Sequence, residues 1–411
     1  MSIVAVVADD LTGAADAAAG FLRFGFTTSV TWREPTLDTR LLHQVDAIAV
    51  DLRTRIAPAA EARATTEAAV TELFHAGVTT LYKKIDSMLR GHVGEEVSGA
   101  LTAWAARNGS IAIVAPAFPA MGRTTIEGRQ RVHGVVLDRP SIPSILQQSG
   151  LTTGVVDISA TRADARRALA RCLDQGARAI VCDAELDEDL EAIAVAGAEL
   201  GSRVVWVGTA GLAHAVARTL APRTPRRSIP VVATDGPILI VVGSTAPIAA
   251  EQTNDVRQAG AAHIEVTLDA LEDEDSTERR TIVQDIESLL AGDRDIVITI
   301  ASERIHDQPE WVAARLARLL ERTLSRIGGL VITGGETATQ VLRACGSRAL
   351  YLIDEIEPGV PLAWTVGARS IPVITKAGSF GTKTTLTHAR SRLREIVGLA
   401  RQSGSKQEGR P

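Results

Sequence analysis

Short, almost uniformly apolar runs alternate with longer alanine-rich stretches of helical period along nearly the whole of this chain, and no other feature restricts its fold as far. Ile3–Ala8, Ser29–Trp32, Ala47–Val50, Thr79–Lys83, Ile111–Pro116, Gly154–Ile158, Ala179–Asp183 and Val204–Gly208 read as strands. Most are continuously apolar rather than alternating, as strands buried on both faces of a parallel sheet are. Between several of them the period predicts helices, over Ala14–Phe24, Glu61–Ala76, Glu95–Ala106, Ala163–Gln175 and Leu212–Leu220. Parallel neighbours need a crossover, usually helical, so this order is that of an α/β fold.

The rhythm stops once. From Pro222 to Gly236 there are three prolines, a basic cluster (Arg223, Arg226, Arg227) and no helical period, the composition of a linker. At 411 residues the chain also exceeds the size at which one core keeps growing. Beyond the linker the pattern restarts, with strands at Ile238–Val242, His263–Thr267, Ile296–Ile300, Leu330–Thr333 and Ile371–Thr375 and helices at Ala249–Ala259, Glu278–Leu290 and Trp311–Ile327. The expected architecture is α/β in two domains, each a mostly parallel sheet flanked by helices. Residues 1–221 and 237–400 form the domains, 222–236 the linker, and 401–411, rich in Gly, Ser and charge, a disordered tail.

Composition narrows the class. Apolar residues make up 45% of the chain, ample for two cores. Cys172, Cys182 and Cys345 are too widely spaced for a zinc or disulfide pattern, which fits core-filling thiols in a reducing cytosol. A net charge of −5 gives no electrostatic reason to bind nucleic acid or membrane. Ile3–Val7 is too short for a signal segment and Ile229–Ala250 is interrupted by Asp235, Gly236 and prolines, so the expected location is the cytoplasm.

Polar motifs collect where the apolar runs end. Ile3–Val7 leads into Ala8-Asp9-Asp10-Leu11-Thr12-Gly13-Ala14. Two carboxylates at the carboxyl end of an expected parallel strand, then a hydroxyl and a glycine opening a helix, build a crevice of the kind in which open α/β sheets bind ligands. Two aspartates that only cap the helix would look the same, since negative charge is favourable there. A second strand ends in Tyr82-Lys83-Lys84-Ile85-Asp86-Ser87-Met88-Leu89-Arg90-Gly91, with cations suited to a small acid's carboxylate and Asp86 and Ser87 suited to its hydroxyls; a solvated loop is the alternative. A third run, Ala115 to Thr125, reads as a proline-stiffened loop offering Arg123, Thr124 and Thr125.

The second half carries glycine turns instead: Gly243-Ser244-Thr245, Gly334-Gly335-Glu336-Thr337-Ala338, and Lys376-Ala377-Gly378-Ser379-Phe380-Gly381. Each follows a strand, and the first two open helices, where main-chain amides can receive phosphate oxygens. None is a Walker or dinucleotide fingerprint, and each alone is equally a packing turn.

Taken in order, ADDLTGA, YKKIDSMLRG, PAFPAMGRTTIEG, GST, GGETA, EIEPGVP and KAGSFG resemble the four-carbon acid sugar kinases over nearly the whole chain. The resemblance implies an amino-terminal domain that holds the sugar acid and a carboxyl-terminal domain that holds ATP. On it, Asp10, Arg55, Lys84, Ile85, Asp86 and Ser87 line the substrate pocket, and Ser244, Gly334, Gly335, Glu336, Thr337 and Gly378 cradle the nucleotide. The chain departs from the family at Asp51–Arg55, where a DTxSR-like run is usual, and at Met88, where a small hydroxyl residue is common. Both departures bear on the substrate more than on the reaction.

The implied reaction is phosphorylation of a threonate, an erythronate or a 3-oxo-tetronate. Phosphoryl transfer asks the protein for alignment, charge neutralisation with Mg2+ and a proton acceptor. Asp10 is the expected base, with Asp9 as helix cap or supporting partner, while Lys84 and Arg55 take the acid's carboxylate. Domain closure would exclude water. A lyase or isomerase using Lys83 or Lys84 as a Schiff base is the competing enzyme class. Metal ligands and oligomeric state are left open; a homo-oligomer is compatible with the sequence.

Overall fold

The computed structural model of the chain describes residues 3–33, 37–105, 109–221, 234–301 and 309–407. It divides into two compact units, Met1–Arg227 and Ser228–Pro411. The division falls inside the expected linker 222–236, of which 222–233 lie outside the described residues.

The first unit is built on β1 (Val4–Ala8), β2 (Thr28–Trp32), β3 (Ala47–Asp51), β4 (Thr80–Lys84), β5 (Ile111–Ala115), a small separate sheet of β6 (Arg123–Ile126), β7 (Arg129–Val132) and β8 (Val135–Val136), then β9 (Thr153–Val156), β10 (Ala179–Cys182) and β11 (Val204–Gly208). The main sheet runs β2-β3-β1-β4-β11-β5-β10-β9, and its pairings are parallel. Register decides where the site falls. Ala8 pairs with Asp51 on one side and Lys84 on the other, so three adjacent strands end at one level and release three of the polar motifs side by side.

Helix Leu11–Arg23 packs an almost wholly buried Ala-rich surface on this sheet. Its bulk-free side chains let it lie close, and Asp10 caps it, accepting from Gly13 N at 2.8 Å.

The second unit holds β12 (Ile238–Val242), β13 (Ala262–Val266), β14 (Ile296–Ile300), β15 (Gly329–Thr333), β16 (Ser347–Glu357), β17 (Val360–Gly367) and β18 (Pro372–Lys376) in the order β13-β14-β12-β15-β18-β17-β16. The first five in that order are parallel, while β16 and β17 form an antiparallel hairpin along β18. Val242, Thr333 and Lys376 again share one level. The core joins Ile238, Ile240, Val331 and Ile374 of the sheet to Leu386, Ala389, Leu393 and Val397 of the last helix.

Three expectations change. The stretch expected as a loop to Thr125 already enters β6 at Arg123. The hairpin β16–β17 was not anticipated; its turn is Pro358-Gly359, where Gly359 has φ 75, the conformation a type II turn requires. The last helix, Thr385–Gln407, runs through residues 401–407 of the expected disordered tail, because adding residues to a helix already docked by Leu386, Ala389, Leu393 and Val397 costs little once it is nucleated; 408–411 lie outside the described residues. Among the described residues no helix is long and apolar enough to cross a membrane.

Candidate active site

The level end of β3, β1 and β4 concentrates charge. Arg55 donates through Nε to Asp9 Oδ2 at 2.8 Å, through Nη2 to Asp9 Oδ1 at 3.0 Å and through Nη1 to Asp10 Oδ2 at 2.7 Å. Asp86 Oδ1 lies 3.6 Å from Nη2. One guanidinium thus gathers carboxylates from two motifs, and three of its five donors are spent on Asp9 and Asp10. Burial opposes ionisation of Asp9, but Arg55, with Lys83 and Lys84, outweighs it and holds that carboxyl below its ordinary range. Burial likewise works against the Arg55 cation, and Asp9 and Asp10 more than compensate, raising its pKa.

The two aspartates differ. Asp9 has 1% of its side chain exposed, Asp10 18%. Asp10, not Asp9, is the helix cap, and it accepts from Thr12 Oγ1 at 2.9 Å as well. The cap, one of the two readings of this motif, is therefore carried by the same side chain that bonds to Arg55.

Lys84 is buried, and its Nζ donates to Ile85 O at 3.2 Å. A Cβ at Gly13 would lie 3.1 Å from that Nζ, so the glycine at the start of the helix keeps room for the ammonium. Among the described residues Lys84 forms no ion pair, unlike Lys83, whose Nζ lies 3.2 Å from Glu96 Oε2 in the interior.

Asp86 accepts from Met88 N, Arg90 N, Arg90 Nε and Arg90 Nη2 at 2.7–3.2 Å. Despite burial, those bonds and the nearby cations keep its carboxyl well below the usual range. Three of those bonds fall on Oδ2, while Oδ1 accepts only from Arg90 Nη2 among the described residues. Ile85 has its side chain in the core and both main-chain groups bonded; it holds its neighbours in place. Ser87 is half-buried, and its carbonyl accepts from Gln130 Nε2 at 3.2 Å.

Sequence reasoning missed Asp51 as a candidate site residue. It ends β3 beside Asp9 and Asp10, and burial, opposed by the Arg53 amide and reinforced by the negative charge of Asp10 and Asp9, pushes its carboxyl up to about 7. The available signal was an aspartate closing an apolar run, the same signal that singled out Asp9. Arg123, noted earlier only as part of a loop, is near enough to Asp86 to feel its charge, and its Nε is buried without a hydrogen-bond partner among the described residues.

The level end of β12, β15 and β18 is built the other way, from close backbone. A Cβ at Gly243 would collide with the Thr337 side chain, and one at Gly378 with Ser244, so the three glycine motifs interlock. Gly334, at φ 101, precedes helix Gly335–Ala344 and supplies no side-chain cap, which leaves that helix's first amides for a ligand. Ser244 Oγ accepts from Ala246 N at 3.2 Å, and Glu336 Oε1 from Gln340 Nε2 at 2.8 Å.

Two further groups face this end. Thr333 Oγ1 is buried without a partner among the described residues. Lys376 is buried, with Nζ 3.3 Å from Gly378 O; burial, opposed by Glu357, brings its pKa down to about 8. Uncapped amides, an orphaned hydroxyl and a buried ammonium are the donor set a polyphosphate needs.

A sheet whose adjacent strands end in charged loops, and a second whose adjacent strands end in glycine turns and an uncapped helix, are what a small-molecule phosphotransferase with an acceptor site and a nucleotide site requires. Comparison with known proteins agrees. A sugar-binding N-terminal domain family matches residues 4–216 and a nucleotide-binding C-terminal domain family residues 239–386. The chain is similar to the D-threonate kinase of Cupriavidus necator, at 36% identity over 93% of this chain and 96% of that protein, and to that of Bordetella bronchiseptica, at 34% over 95% and 98%. A D-erythronate kinase of Heliobacterium modesticaldum is 27% identical over 93% of this chain and 94% of its own. The chain belongs to the four-carbon acid sugar kinase family. A solved structure from Salmonella typhimurium LT2, provisionally described as a tRNA synthase, has the same fold, with a TM-score of 0.78 at 22% identity over 95% of this chain and 100% of that one.

Proposed function

We propose that this chain is an ATP-dependent kinase, acting in the cytoplasm, that phosphorylates a hydroxyl of a four-carbon sugar acid, with D-threonate as the preferred substrate. The observation that carries the reading is the contrast at the two strand-end levels: side-chain cations and carboxylates in the first unit, main-chain amides in the second. The preference for D-threonate rests on relatives of that name at 31–36% identity, against 27% for the D-erythronate kinase and 26–32% for the 3-oxo-tetronate kinases.

In this reading Lys84, a buried ammonium that forms no ion pair among the described residues, receives the acid's carboxylate, together with the two Arg55 donors not bonded to Asp9 or Asp10. Asp10, the more accessible aspartate, accepts the hydroxyl proton as the oxygen attacks; Asp9 keeps Arg55 in place. In the second unit the amides of Gly335, Glu336 and Thr337, the Ser244 hydroxyl and the Gly378 turn hold the triphosphate, and Lys376 adds charge. Among the described residues no group of three His, Cys, Asp or Glu is placed to hold a metal. Mg2+ is usually carried on substrate phosphates with one or two protein carboxylates; Glu336 is one carboxylate of the second crevice. When bound, Mg2+ supplies charge neutralisation on the phosphates.

An ADP-release assay across D-threonate, D-erythronate, 3-oxo-tetronate and the neutral tetritol tests this. ATP-dependent turnover with the acids, highest kcat/KM for D-threonate and poor turnover of the polyol are expected. No ADP release with any acid refutes the kinase reading; equal rates for acid and polyol refute the carboxylate grip.

A further inference from the structure

Beneath the first crevice lies a buried charge pair that nothing in the chemistry above uses. Lys83, next to last in β4, is fully buried; Glu96, in the first turn of helix Val93–Trp104, is 1% exposed. Lys83 Nζ lies 3.2 Å from Glu96 Oε2 and donates to Lys84 O at 2.9 Å. The other carboxylate oxygen, Oε1, accepts from the hydroxyl of Thr54, also 1% exposed. Glu96 therefore ties the residue before Lys84 to the residue before Arg55.

Such a pair is a poor way to gain stability, because the cost of taking two ions out of water commonly cancels their attraction, and apolar replacements often serve as well. The loop it anchors gives a better reason. Arg53 adopts φ 55, a left-handed backbone rare for a long side chain, and strained backbone of this kind persists only where its surroundings over-determine it. Arg53 N donates to Asp51 Oδ1 at 2.8 Å and Arg55 N to Asp9 O at 3.3 Å. Between them, the Thr54 hydroxyl is bonded to a carboxylate that is itself locked to β4.

We propose that Glu96 is a positioning residue: by accepting from both Lys83 and Thr54 it fixes the spacing of Lys84 and Arg55, and so sets the affinity of the first crevice for the sugar acid. The proposal rests on the sugar-acid reading of that crevice. It assigns to Glu96 an effect on acid binding and none on nucleotide binding.

Thr54→Val removes the hydroxyl and keeps the shape. The expected result is a rise of about tenfold in Kd and KM for D-threonate, the size of one lost charge-assisted hydrogen bond, with KM for ATP unchanged and near wild-type affinity restored in Thr54→Ser. The double variant Lys83→Met/Glu96→Gln, which leaves no unpaired buried charge, should show the same selective loss and carries the test if Thr54→Val does not fold. Calorimetric titration of the full chain with D-threonate reads affinity without turnover. Unchanged acid affinity in both variants, or an equal loss for acid and ATP, overturns the positioning role even where Tm falls. A wild type that binds the acid but transfers no phosphoryl group refutes the kinase reading alone; one that binds no four-carbon acid refutes both.

Discussion

The two strand-end levels of this molecule use one backbone device for opposite chemistry. In each unit three adjacent parallel strands stop in register: Ala8, Asp51 and Lys84 in the first, Val242, Thr333 and Lys376 in the second. The first level is crowded with side-chain charge and buffered by Arg55, which touches Asp9 and Asp10 and approaches Asp86. The second has glycines where a Cβ would strike Thr337 or Ser244. Small polar acids vary in shape, and gripping one takes side chains aimed at particular atoms. A triphosphate repeats one chemical group, and unclaimed main-chain amides suffice for it. On the proposed reading, the shared fold sets where ligands bind and the residues just past each strand set which ligands.

The strongest way to break this comparison is at Asp10. Asparagine caps helices as well as aspartate, so Asp10→Asn keeps the bond to Gly13 and removes the charge. A fall in kcat of about two to four orders of magnitude is expected, the range for loss of a general base, with ATP affinity near wild type and a lower Tm, since the ion pair with Arg55 is lost; Asp9→Asn should lose less turnover. Wild-type turnover in Asp10→Asn would reduce Asp10 to a cap. Next in size is Lys84→Met, expected to raise KM for the acid about 10- to 100-fold, as one charged hydrogen bond implies, without moving KM for ATP. A change in the ATP constant would blur the division between the two levels.

Lys376 tests the same division from the other side. Lys376→Met should raise KM for ATP about tenfold and leave KM for the acid alone. Its ammonium, brought down to about 8 by burial, is charged below that pH and neutral above it. In wild type, kcat/KM for ATP should therefore fall as pH rises through about 8, and that limb should be missing in Lys376→Met. A limb that survives the substitution assigns the titration elsewhere.

Much of this was legible before any coordinate. Strands Ile238–Val242 and Ile296–Ile300 have the bounds their apolar runs predict, because a strand buried on both faces leaves no choice of register. The motifs at Asp9, Lys84 and Gly334 were visible because each interrupts such a run. Long-range pairing was not visible. Nothing local tells Glu96, one of two glutamates in a first helical turn, from its neighbour Glu95, yet Glu96 meets Lys83 in the core and Glu95 lies half-buried, 3.5 Å from Arg63. Nor does sequence show that Asp86 would bond to Arg90 and two amides of its own loop. The hairpin β16–β17 escaped because its strands, polar at Arg348, Asp354 and Glu355, lack the continuous apolar signature of the parallel strands.

The smallest expected effect sharpens the comparison through stability. Asp51 and Lys376 occupy the two levels as buried groups, each pushed by burial toward its neutral form, to about 7 and about 8. For Asp51 the folded value lies above the ordinary carboxylate value of 3.8, so the folded state binds the extra proton. Its contribution is full below the unfolded pKa and is lost as pH rises through about 7. Asp9 and Asp86 run the other way, since their lowered values contribute above the unfolded pKa and lose that contribution as pH falls below it; their effect is constant between pH 5 and 8. His214, brought down to about 4 by burial, titrates alike in wild type and variant and cancels in their difference. Asp51→Asn keeps an oxygen for the Arg53 amide and removes the ionisable group. The Tm of Asp51→Asn minus that of wild type should therefore rise from pH 5 to about pH 7 and level off toward pH 8. A difference that stays flat across that window would mean that Asp51 ionises normally, and that the first level, unlike the second, holds no buried group forced toward neutrality.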